Sequence, residues 1–465
     1  MRTLVLFRRD FRLLDHPALT EATRDGEIAG GYIKEDTLTS AHDYWEMAHV
    51  VDVKQSLNDE GVPFLLGDAP VVDQVTAWCD QYDMDAVYFN RSYLQDEIEQ
   101  EDNLIEVLES KGIVVKRFDS DVLAKPGTVL TGKGEYYKVF TPFYKALRQE
   151  KLIQPVKKPT DFSGLAIESS DISIDEPAWF KKLLKHFIPG EQAALKQLES
   201  FLHDALSHYS KRRDRPARKD TSRLSVYLAV GAISPRVIYQ AVMAYDEAGP
   251  GMDSEKEAFI RQLMWRDFSY QQLYQHKEAE KKAMREEFDR FNWENNETDI
   301  ERWKQGQTGY PLVDAGMREL YETGYMHNRV RMVVASFLVK HLLVDWRIGL
   351  QYFEETLLDH DRQNNALGWQ WVMGSGFDAS PYFRIFNPIT QAEKFDPEGE
   401  YIKRYVPELR QLSGPALFRP FEASETELKR GGVVLGKDYK EPLVDHKAAR
   451  ERALMRYQDI KEASS

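Results

Sequence analysis

The run Thr3-Leu-Val-Leu-Phe7, which ends at Arg8-Arg9-Asp10, sets the fold of the first part of the chain. Its apolar residues do not alternate with polar ones, so it predicts a strand that is buried on both faces of a sheet. Similar runs follow at residues 28–33, 62–66, 86–89 and 113–118, with amphipathic stretches at 43–57, 71–82 and 96–110 between them. Strands that alternate with helices form parallel sheets, so we expect an α/β domain with a doubly wound parallel sheet.

The pattern changes after residues 154–176, which are rich in Pro, Lys, Ser and Asp and have no sustained period. Beyond Gly190 the helical period dominates and predicts helices at 191–207, 222–230, 235–245, 255–276, 311–323, 327–343 and 348–358. Ser234-Pro235 is a typical helix start and Gly324 a typical helix end. We therefore predict an α/β domain over residues 1–130, a connector over 131–189 and an all-α domain over 190–465.

The composition is that of a folded globular protein, since 42% of the 465 residues are hydrophobic and 30% are charged. The opening apolar run is too short for a signal-peptide core, and no run is long enough to span a membrane. We therefore expect a cytoplasmic protein that does not bind membranes.

Cys79 is the only cysteine, which excludes an internal disulfide and a thiolate metal site. We expect no metal, so any redox chemistry has to come from a bound cofactor.

The standard catalytic motifs are missing. No G-x-G-x-x-G follows the first strand, and Gly132-Lys133-Gly134 lacks the spacing of a P-loop. The sequence also has no H-E-x-x-H pair and no G-x-S-x-G elbow. These observations argue against a dinucleotide or nucleoside triphosphate site in the first domain and against the standard hydrolases.

A basic stretch stands out in a chain whose formal net charge is −14. Tyr209-Ser-Lys-Arg-Arg-Asp-Arg-Pro-Ala-Arg-Lys219 contains six basic residues and one acidic residue, although the average surface repels polyanions. The stretch is either a solvated loop or a polyanion contact. Thr221-Ser-Arg-Leu-Ser225 follows it, where hydroxyl and backbone N–H groups either cap a helix or hold a phosphate.

A polar face is predicted on the apolar helix at 327–343. Asn328, Arg331 and Met332 lie three and four positions apart and share that face, whereas Arg329 projects elsewhere. A buried arginine needs a carboxylate partner.

Asp359 and Asp361 are the candidates for that carboxylate. Paired with Arg331, either would provide a fixed positive charge that suits an anionic ring system. The alternatives are a structural ion pair together with a helix N-cap, or a carboxylate metal site.

Nine tryptophans are present, and most buried tryptophans serve packing. Trp369 and Trp371 are two positions apart, which on a helix turns their side chains to opposite sides. One indole is therefore expected to face a buried group and the other a pocket.

Several long motifs occur together in an order that resembles the photolyase/cryptochrome family. They are Phe7-Arg-Arg-Asp10, Thr221-Ser-Arg-Leu-Ser225, Trp265-Arg-Asp-Phe268, Thr308-Gly-Tyr-Pro-Leu-Val-Asp-Ala315, Met326-His-Asn-Arg-Val-Arg-Met332, Asn364-Asn-Ala-Leu-Gly-Trp-Gln-Trp371 and Pro381-Tyr-Phe-Arg-Ile-Phe-Asn-Pro388. The resemblance covers essentially the whole chain. Within the family the sequence is most similar to bacterial class I cyclobutane pyrimidine dimer photolyases.

The resemblance implies an α/β antenna domain followed by a helical domain that holds FAD, active in its reduced form. Asn365 would face the N5 atom of the flavin. The other positions that match flavin-binding residues are Tyr209, Thr221, Ser222, Arg223, Leu224, Ser225, Phe259, Arg331, Asp359 and Asp361. The arginine–aspartate pair would then balance the charge of the reduced ring.

Trp369, Trp346 and Trp293 match the electron-transfer chain of the family. Indole is oxidisable, so three of them in series would reduce photoexcited FAD stepwise. The implied reaction is electron transfer from the light-excited reduced flavin to a cyclobutane dimer in UV-damaged DNA, which splits into two pyrimidines. The dimer has to be flipped out of the duplex to reach a buried flavin.

The resemblance also implies the residues that contact DNA. Trp265 and Trp371 would form apolar walls against the two bases, with Met332 beneath them, and Arg213 and Arg329 would hold flanking phosphates. We expect binding to weaken steeply with salt.

The sequence departs from the dimer photolyases at Gln262, where those enzymes carry a glutamate that bonds the lesion. A glutamine donates to a base carbonyl without charge, and (6-4) photolyases also have glutamine there. Those enzymes, however, carry histidines at the positions of Asn328 and Met332. We therefore predict a cyclobutane photolyase, with a (6-4) photolyase as the alternative.

The antenna chromophore is marked only by Asp96-Glu97, near a pair that folate-binding relatives use. Methenyltetrahydrofolate, a deazaflavin, an empty pocket and a merely solvated acidic pair all stay open.

A blue-light cryptochrome receptor is the alternative from another functional class, although the short charged segment after Asn387 favours the enzyme. The protein is expected to be a monomer.

Overall fold

The computed structural model describes residues 1–34, 37–246, 251–376, 378 and 383–462. They form two compact units, of which the first comprises Met1–Ser207 with Ser222–Lys277 and the second His208–Thr221 with Glu278–Ser465. These units do not follow the limits at 130 and 190, because residues 222–277 pack with the first unit. The division into three segments stays a prediction.

The first unit is built on a five-stranded parallel sheet. Its strands are β1 (Arg2–Leu6), β2 (Glu27–Ile33), β3 (Phe64–Gly67), β4 (Ala86–Asn90) and β5 (Val114–Phe118), in the order β3-β2-β1-β4-β5. In register, Leu4 of β1 lies between Ala29 of β2 and Val87 of β4, and all three are buried. The predicted doubly wound sheet is confirmed, because each apolar run forms a strand that helices cover.

The helices of the first unit include the predicted crossovers. They are Pro17–Asp25, Ala41–Asp59, Val71–Tyr82, Gln95–Ser110, Phe140–Leu147, Ala178–Leu183, Glu191–Asp204, Ser225–Leu228, Pro235–Ala244 and Met252–Gln275. Ser40 caps the second of these with a capping box, and the Ser234 hydroxyl accepts from the Val237 N–H at 3.1 Å. The helix predicted at 222–230 is only one turn long, because Arg223 precedes it with a φ of 52° and Gly231 follows with a φ of 63°.

Apart from one isolated bridge between Leu435 and Tyr439, the regular elements in the described residues of the second unit are helices, which loops connect. Its α-helices are Tyr209–Arg212, Glu297–Lys304, Pro311–Thr323, Asn328–Ser336, Trp346–Thr356, Arg362–Met373, Pro388–Phe395, Glu400–Tyr405, Pro415–Phe418, Glu425–Arg430 and His446–Glu462. Gly324 ends Pro311–Thr323 in the left-handed conformation, as predicted. No described helix combines the length and the apolar composition that a membrane crossing requires.

The helix predicted at 327–343 changes its hydrogen-bonding pattern midway. Asn328–Ser336 is α-helical, whereas Phe337–His341 is a turn of π-helix, a type that often occurs at functional sites. The buried Lys340 ammonium of this turn donates to the Arg384 carbonyl. Burial lowers the pKa of Lys340 to about 7.

His49 gives the first unit a measurable pH dependence. Its ring is fully buried, and its Nδ1 donates to the Trp45 carbonyl at 2.8 Å. Burial lowers the pKa of His49 from 6.5 to about 4, so its contribution to stability is complete above pH 6.5 and is lost as the pH falls toward 4. The variant His49→Phe does not show this loss. Between pH 7 and pH 5 the free energy of unfolding of wild type should therefore fall by about 2 kcal/mol relative to that of the variant. Urea unfolding of both proteins at the two pH values measures the shift, and a constant difference would contradict the buried neutral ring.

Candidate active site

A buried ion pair lies in the second unit, near the start of the helix Asn328–Ser336. Nη2 of Arg331 lies 3.0 and 2.8 Å from the two carboxylate oxygens of Asp359, and its Nε donates to the Met326 carbonyl at 2.6 Å. The side chain of Asp359 is only 2% exposed. Burial disfavours the charge of Arg331, but Asp359 outweighs it and raises the pKa of the guanidinium. The structure therefore keeps the Arg331 guanidinium protonated and fixed in position here, with Asp359 as its counter-ion.

Asp361 has a different position from the one that a pairing with Arg331 requires. Its carboxylate accepts from the Asn364 N–H at 2.8 Å, and its carbonyl accepts from the Asn365 N–H at 2.8 Å. It is therefore the N-cap of the helix Arg362–Met373. Of the two aspartates, Asp359 is the ion-pair partner and Asp361 the cap. The described ranges contain no cluster of three or more His, Cys, Asp or Glu side chains suited to a metal ion.

The amide of Asn365 is oriented by a backbone contact. Its Nδ2 donates to the Leu350 carbonyl at 3.1 Å. The half-buried side chain thus turns Oδ1 away from that carbonyl, and no donor among the described residues reaches Oδ1. Asn365 therefore offers a hydrogen-bond acceptor of fixed direction.

The three predicted electron-transfer tryptophans belong to one hydrophobic core in the second unit. Trp346 and Trp369 are buried, whereas Trp293 is half-buried and packs on Phe291 with ring centroids 4.3 Å apart. Nε1 of Trp346 and of Trp293 is buried without a hydrogen-bond partner in the described part of the chain. Trp303, in the same core, instead donates to the Val334 carbonyl at 3.0 Å. The buried indole N–H groups of Trp293 and Trp346 thus lack the hydrogen bond that buried tryptophans usually make.

Gly349 leaves space for Trp369. A Cβ at position 349 would lie 2.1 Å from Cη2 of the indole, which is far inside van der Waals contact. Gly349→Ala should therefore displace Trp369 and lower the free energy of unfolding by about 1–3 kcal/mol. Gly368→Ala, next to Trp369 in sequence but with open space around it, should be neutral or slightly stabilising. Near-ultraviolet circular dichroism and urea unfolding measure both effects, and equal behaviour of the two variants would contradict the close contact.

Trp371 lies on the opposite side of its helix from Trp369, as predicted. It is half-exposed, and its Nε1 donates to the Asp378 carbonyl at 3.2 Å. In the neighbouring helix, Nδ2 of Asn328 and Nη1 of Arg329 each lie 4.0 Å from the Met332 sulfur. Arg329 directs its guanidinium to Asp214 and to the Phe395 ring, which lies 4.4 Å away, so its contact with Met332 is only peripheral.

The two predicted phosphate contacts share one acidic partner. Asp214 lies 3.0 Å from Nη2 of Arg329 and 3.9 Å from Nε of Arg213. The Arg213 guanidinium also lies over the Tyr209 ring, 5.5 Å from its centroid. Burial raises the pKa of Tyr209 to about 12, so the phenol stays protonated. Both arginines are therefore partly neutralised within the second unit.

Trp265, in the first unit, has its indole fixed by stacking. Its ring lies 3.8 Å from that of Phe140, with an angle of 10° between the planes. Arg261 covers Phe140 at 4.8 Å. Phe140 was assigned to the connector, and only the aromatic pattern of residues 140–144 hinted at a packed helix. The helix Met252–Gln275, which carries Trp265, also carries Gln262, whose Nε2 donates to the Ala258 carbonyl at 3.4 Å.

The remaining flavin candidates of the first unit are held by local packing. Phe259 packs on Phe201 with centroids 4.5 Å apart, and the Arg223 guanidinium lies 4.3 Å from the Phe187 centroid. The Ser222 hydroxyl accepts from the N–H of the buried Leu224 at 3.4 Å. Ser225 begins the one-turn helix, and Thr221 belongs to the second unit. The roles of these residues toward a cofactor stay predictions.

The two acidic residues marked as an antenna site differ in their surroundings, because Asp96 is exposed whereas Glu97 contacts two arginines. Glu97 is bonded to Arg9, lies 3.7 Å from Arg8, and is only 16% exposed. Burial raises the pKa of Glu97, but the two arginines outweigh it and bring it to about 2. The solvated interpretation is therefore wrong for Glu97, while the antenna role of Asp96 and Glu97 stays a prediction.

Comparisons with known proteins match nearly the whole chain. Residues 3–160 match a family model described as DNA photolyase, and residues 259–459 match one described as the FAD binding domain of DNA photolyase. The deoxyribodipyrimidine photo-lyase of Agrobacterium fabrum is 38% identical over 99% of this chain and 98% of its own length. The crystal structure of a bacterial class III photolyase from Agrobacterium tumefaciens matches with a TM-score of 0.94 at 38% identity, covering 99% of this chain and 98% of that one. A cryptochrome from Synechocystis matches with a TM-score of 0.88 at 30% identity, covering 98% and 99%.

Proposed function

Because the chain belongs to the photolyase/cryptochrome family and carries its FAD-binding domain, we propose that it splits cyclobutane pyrimidine dimers in UV-damaged DNA with light. The observation that carries the proposal is the buried pair of Arg331 and Asp359 beside a helix that bears Asn365 and Trp369. Together they supply a fixed charge, an oriented acceptor and an oxidisable ring.

The residues of the second unit fit FAD. Arg331 brings a positive charge whose desolvation Asp359 offsets, as a negatively charged ring requires. Asn365 has an acceptor oxygen that no donor in the described ranges reaches, and such an oxygen suits a ring N–H. When bound and reduced, FAD supplies the light-driven one-electron chemistry for which the family is known. The chain then has to bind the ring, balance its charge and keep water from it.

The tryptophans of the second unit serve electron supply in this proposal. Each indole gives up one electron and is re-reduced by the next, in the order Trp369, Trp346, Trp293, until an external reductant restores the last one. Trp293 is half-exposed, as contact with such a reductant requires. No hydrogen-bond acceptor among the described residues reaches Nε1 of Trp346, so its ring keeps its proton while it carries charge.

The lesion contacts are proposed one by one. Trp265 and Trp371 each present a half-buried indole, which suits stacking on an extruded base. Met332 adds a polarizable apolar contact. Gln262 donates to a base carbonyl, and Asn328 is exposed and carries amide groups for the same purpose.

A light-dependent repair assay tests the proposed function. The reduced holoprotein is mixed with one oligonucleotide that carries a thymine cyclobutane dimer and another that carries a (6-4) product, in light and in darkness. We expect light-dependent splitting of the cyclobutane dimer alone. Repair of the (6-4) product alone would overturn the lesion assignment, and repair in darkness would overturn the photochemical mechanism.

A blue-light receptor is the second candidate function, because the structural likeness extends to a cryptochrome at a TM-score of 0.88. That candidate predicts light-driven changes in the flavin spectrum without turnover of either lesion. The flavin spectrum recorded during the repair assay separates the two functions.

A further inference from the structure

Among the described residues, a groove in the second unit is lined by basic side chains. Lys211, Arg212, Arg215 and Arg218 surround a space of about 350 Å³, which we call the basic groove. The segment that carries them is held in place, because Arg404 donates to the Ala217 carbonyl at 3.2 Å and the Arg218 N–H donates to the Arg215 carbonyl at 3.1 Å. The cations are thus presented by an anchored segment.

The charges of the basic groove are largely uncompensated. Arg212 has Asp220 at 4.0 Å, but within the described ranges no carboxylate lies that close to Lys211, Arg215 or Arg218. Like charges gathered in one groove repel one another, and a bound anion removes that repulsion. In a chain with a net charge of −14, such a concentration of unpaired cations points to a specific anionic ligand.

The contrast with the predicted phosphate contacts is informative. Arg213 and Arg329 both lie within ion-pair distance of Asp214, so part of their charge is already balanced. The unpaired cations of the same basic stretch lie in the groove instead. Electrostatic attraction for phosphate should therefore be stronger in the basic groove than at Arg213 and Arg329.

We propose that the basic groove binds phosphates of the DNA backbone outside the lesion and supplies much of the affinity for undamaged duplex. This proposal rests on the proposed function, because DNA is the polyanion that a photolyase has to hold. Three of the four side chains are exposed, and in the part of the chain that the structure describes no aromatic or acidic group lines the groove to select a base or a small ligand. Contacts of this kind recognise charge and position the protein without reading sequence.

The test replaces Lys211, Arg212, Arg215 and Arg218 together by glutamine in the full-length holoprotein. Binding to an undamaged duplex of roughly 30 base pairs is measured at several salt concentrations, and repair is measured on a dimer in that duplex and in an oligonucleotide of about three nucleotides. We expect duplex affinity to fall roughly tenfold or more and the slope of log K against log salt to decrease by about 2 to 4. Repair of the short oligonucleotide should stay within about twofold of wild type.

A charge-matched variant is the control. Lys282, Lys304, Arg419 and Lys429 are each paired with a carboxylate of their own helix or turn, and their joint replacement by glutamine changes the net charge equally. An equal loss of duplex affinity in this control, or an unchanged salt slope in the groove variant, would overturn the proposal. A different result with tripolyphosphate would also overturn the proposal. If wild type binds tripolyphosphate and the groove variant does not, while both bind the duplex with equal affinity, the groove serves a free polyphosphate and not DNA. If neither protein repairs any dimer, the proposed function fails, but binding to undamaged duplex still decides the role of the groove.

Discussion

Asp359→Asn is expected to yield a protein that is purified without FAD and is less stable than wild type. The substitution leaves the Arg331 guanidinium without its charge partner, although the Met326 carbonyl still accepts from Nε. Breaking a buried ion pair by removing one partner costs about 3–5 kcal/mol. The ratio of flavin to protein absorbance after purification measures retention of FAD. Urea unfolding of the cofactor-free proteins measures the change in the free energy of unfolding.

Two further variants separate binding of FAD from stability. Asp314→Asn removes another buried carboxylate of the second unit, which accepts from the Thr308 N–H at 2.7 Å and from the Tyr439 hydroxyl at 2.6 Å. It should lower stability without loss of FAD. Arg331→Met combined with Asp359→Asn should regain part of the stability, because no buried charge remains unpaired, and should still lack FAD. Full retention of FAD by Asp359→Asn would mean that the pair is structural only.

Local sequence signals were sufficient for most of the fold. The run at residues 3–7 predicts a strand because every side chain must be buried, and the observed strand is Arg2–Leu6. The two ends of the helix Pro311–Thr323 were predictable because proline favours the first position of a helix and glycine favours the left-handed conformation that follows the last one, here at Gly324. The π-helical turn Phe337–His341 could not be predicted, because residues 333–344 are almost uniformly apolar and carry no periodic signal.

The candidate site was predictable as a set of residues but not as a set of contacts. The sequence allowed either Asp359 or Asp361 to pair with Arg331, and the choice depends on Asp361 being the N-cap of the next helix. The Leu350 carbonyl that orients Asn365 is a backbone atom 15 residues away, and no side-chain pattern marks it. Likewise, the stacking of Phe140 on Trp265 depends on tertiary packing between distant helices.

Trp346→Phe is expected to slow photoreduction of oxidised FAD by roughly tenfold or more, equivalent to an added barrier of at least about 1.4 kcal/mol. A phenyl ring keeps much of the packing of this buried indole but is far harder to oxidise. Because Nε1 of Trp346 has no hydrogen-bond partner in the described structure, the substitution breaks no hydrogen bond. Absorbance of the flavin under blue light with an external thiol measures the rate. Dimer splitting by protein that has been reduced chemically beforehand should be unchanged, because that protein needs no further electron.

Trp303→Phe is the matched control for that measurement. Trp303 is as deeply buried as Trp346 in the same core, but its Nε1 donates to the Val334 carbonyl at 3.0 Å. Its loss removes this hydrogen bond, although the Phe337 N–H still donates to the Val334 carbonyl, and costs about 0.5–1.5 kcal/mol, so this control should be the less stable variant and yet photoreduce normally. A slow rate in both variants would trace the effect to disturbed packing, and a normal rate in Trp346→Phe would remove Trp346 from the path. Electron transfer is assigned to the Trp346 ring itself only if Trp346→Phe is the more stable of the two variants and is also the one with the slower photoreduction.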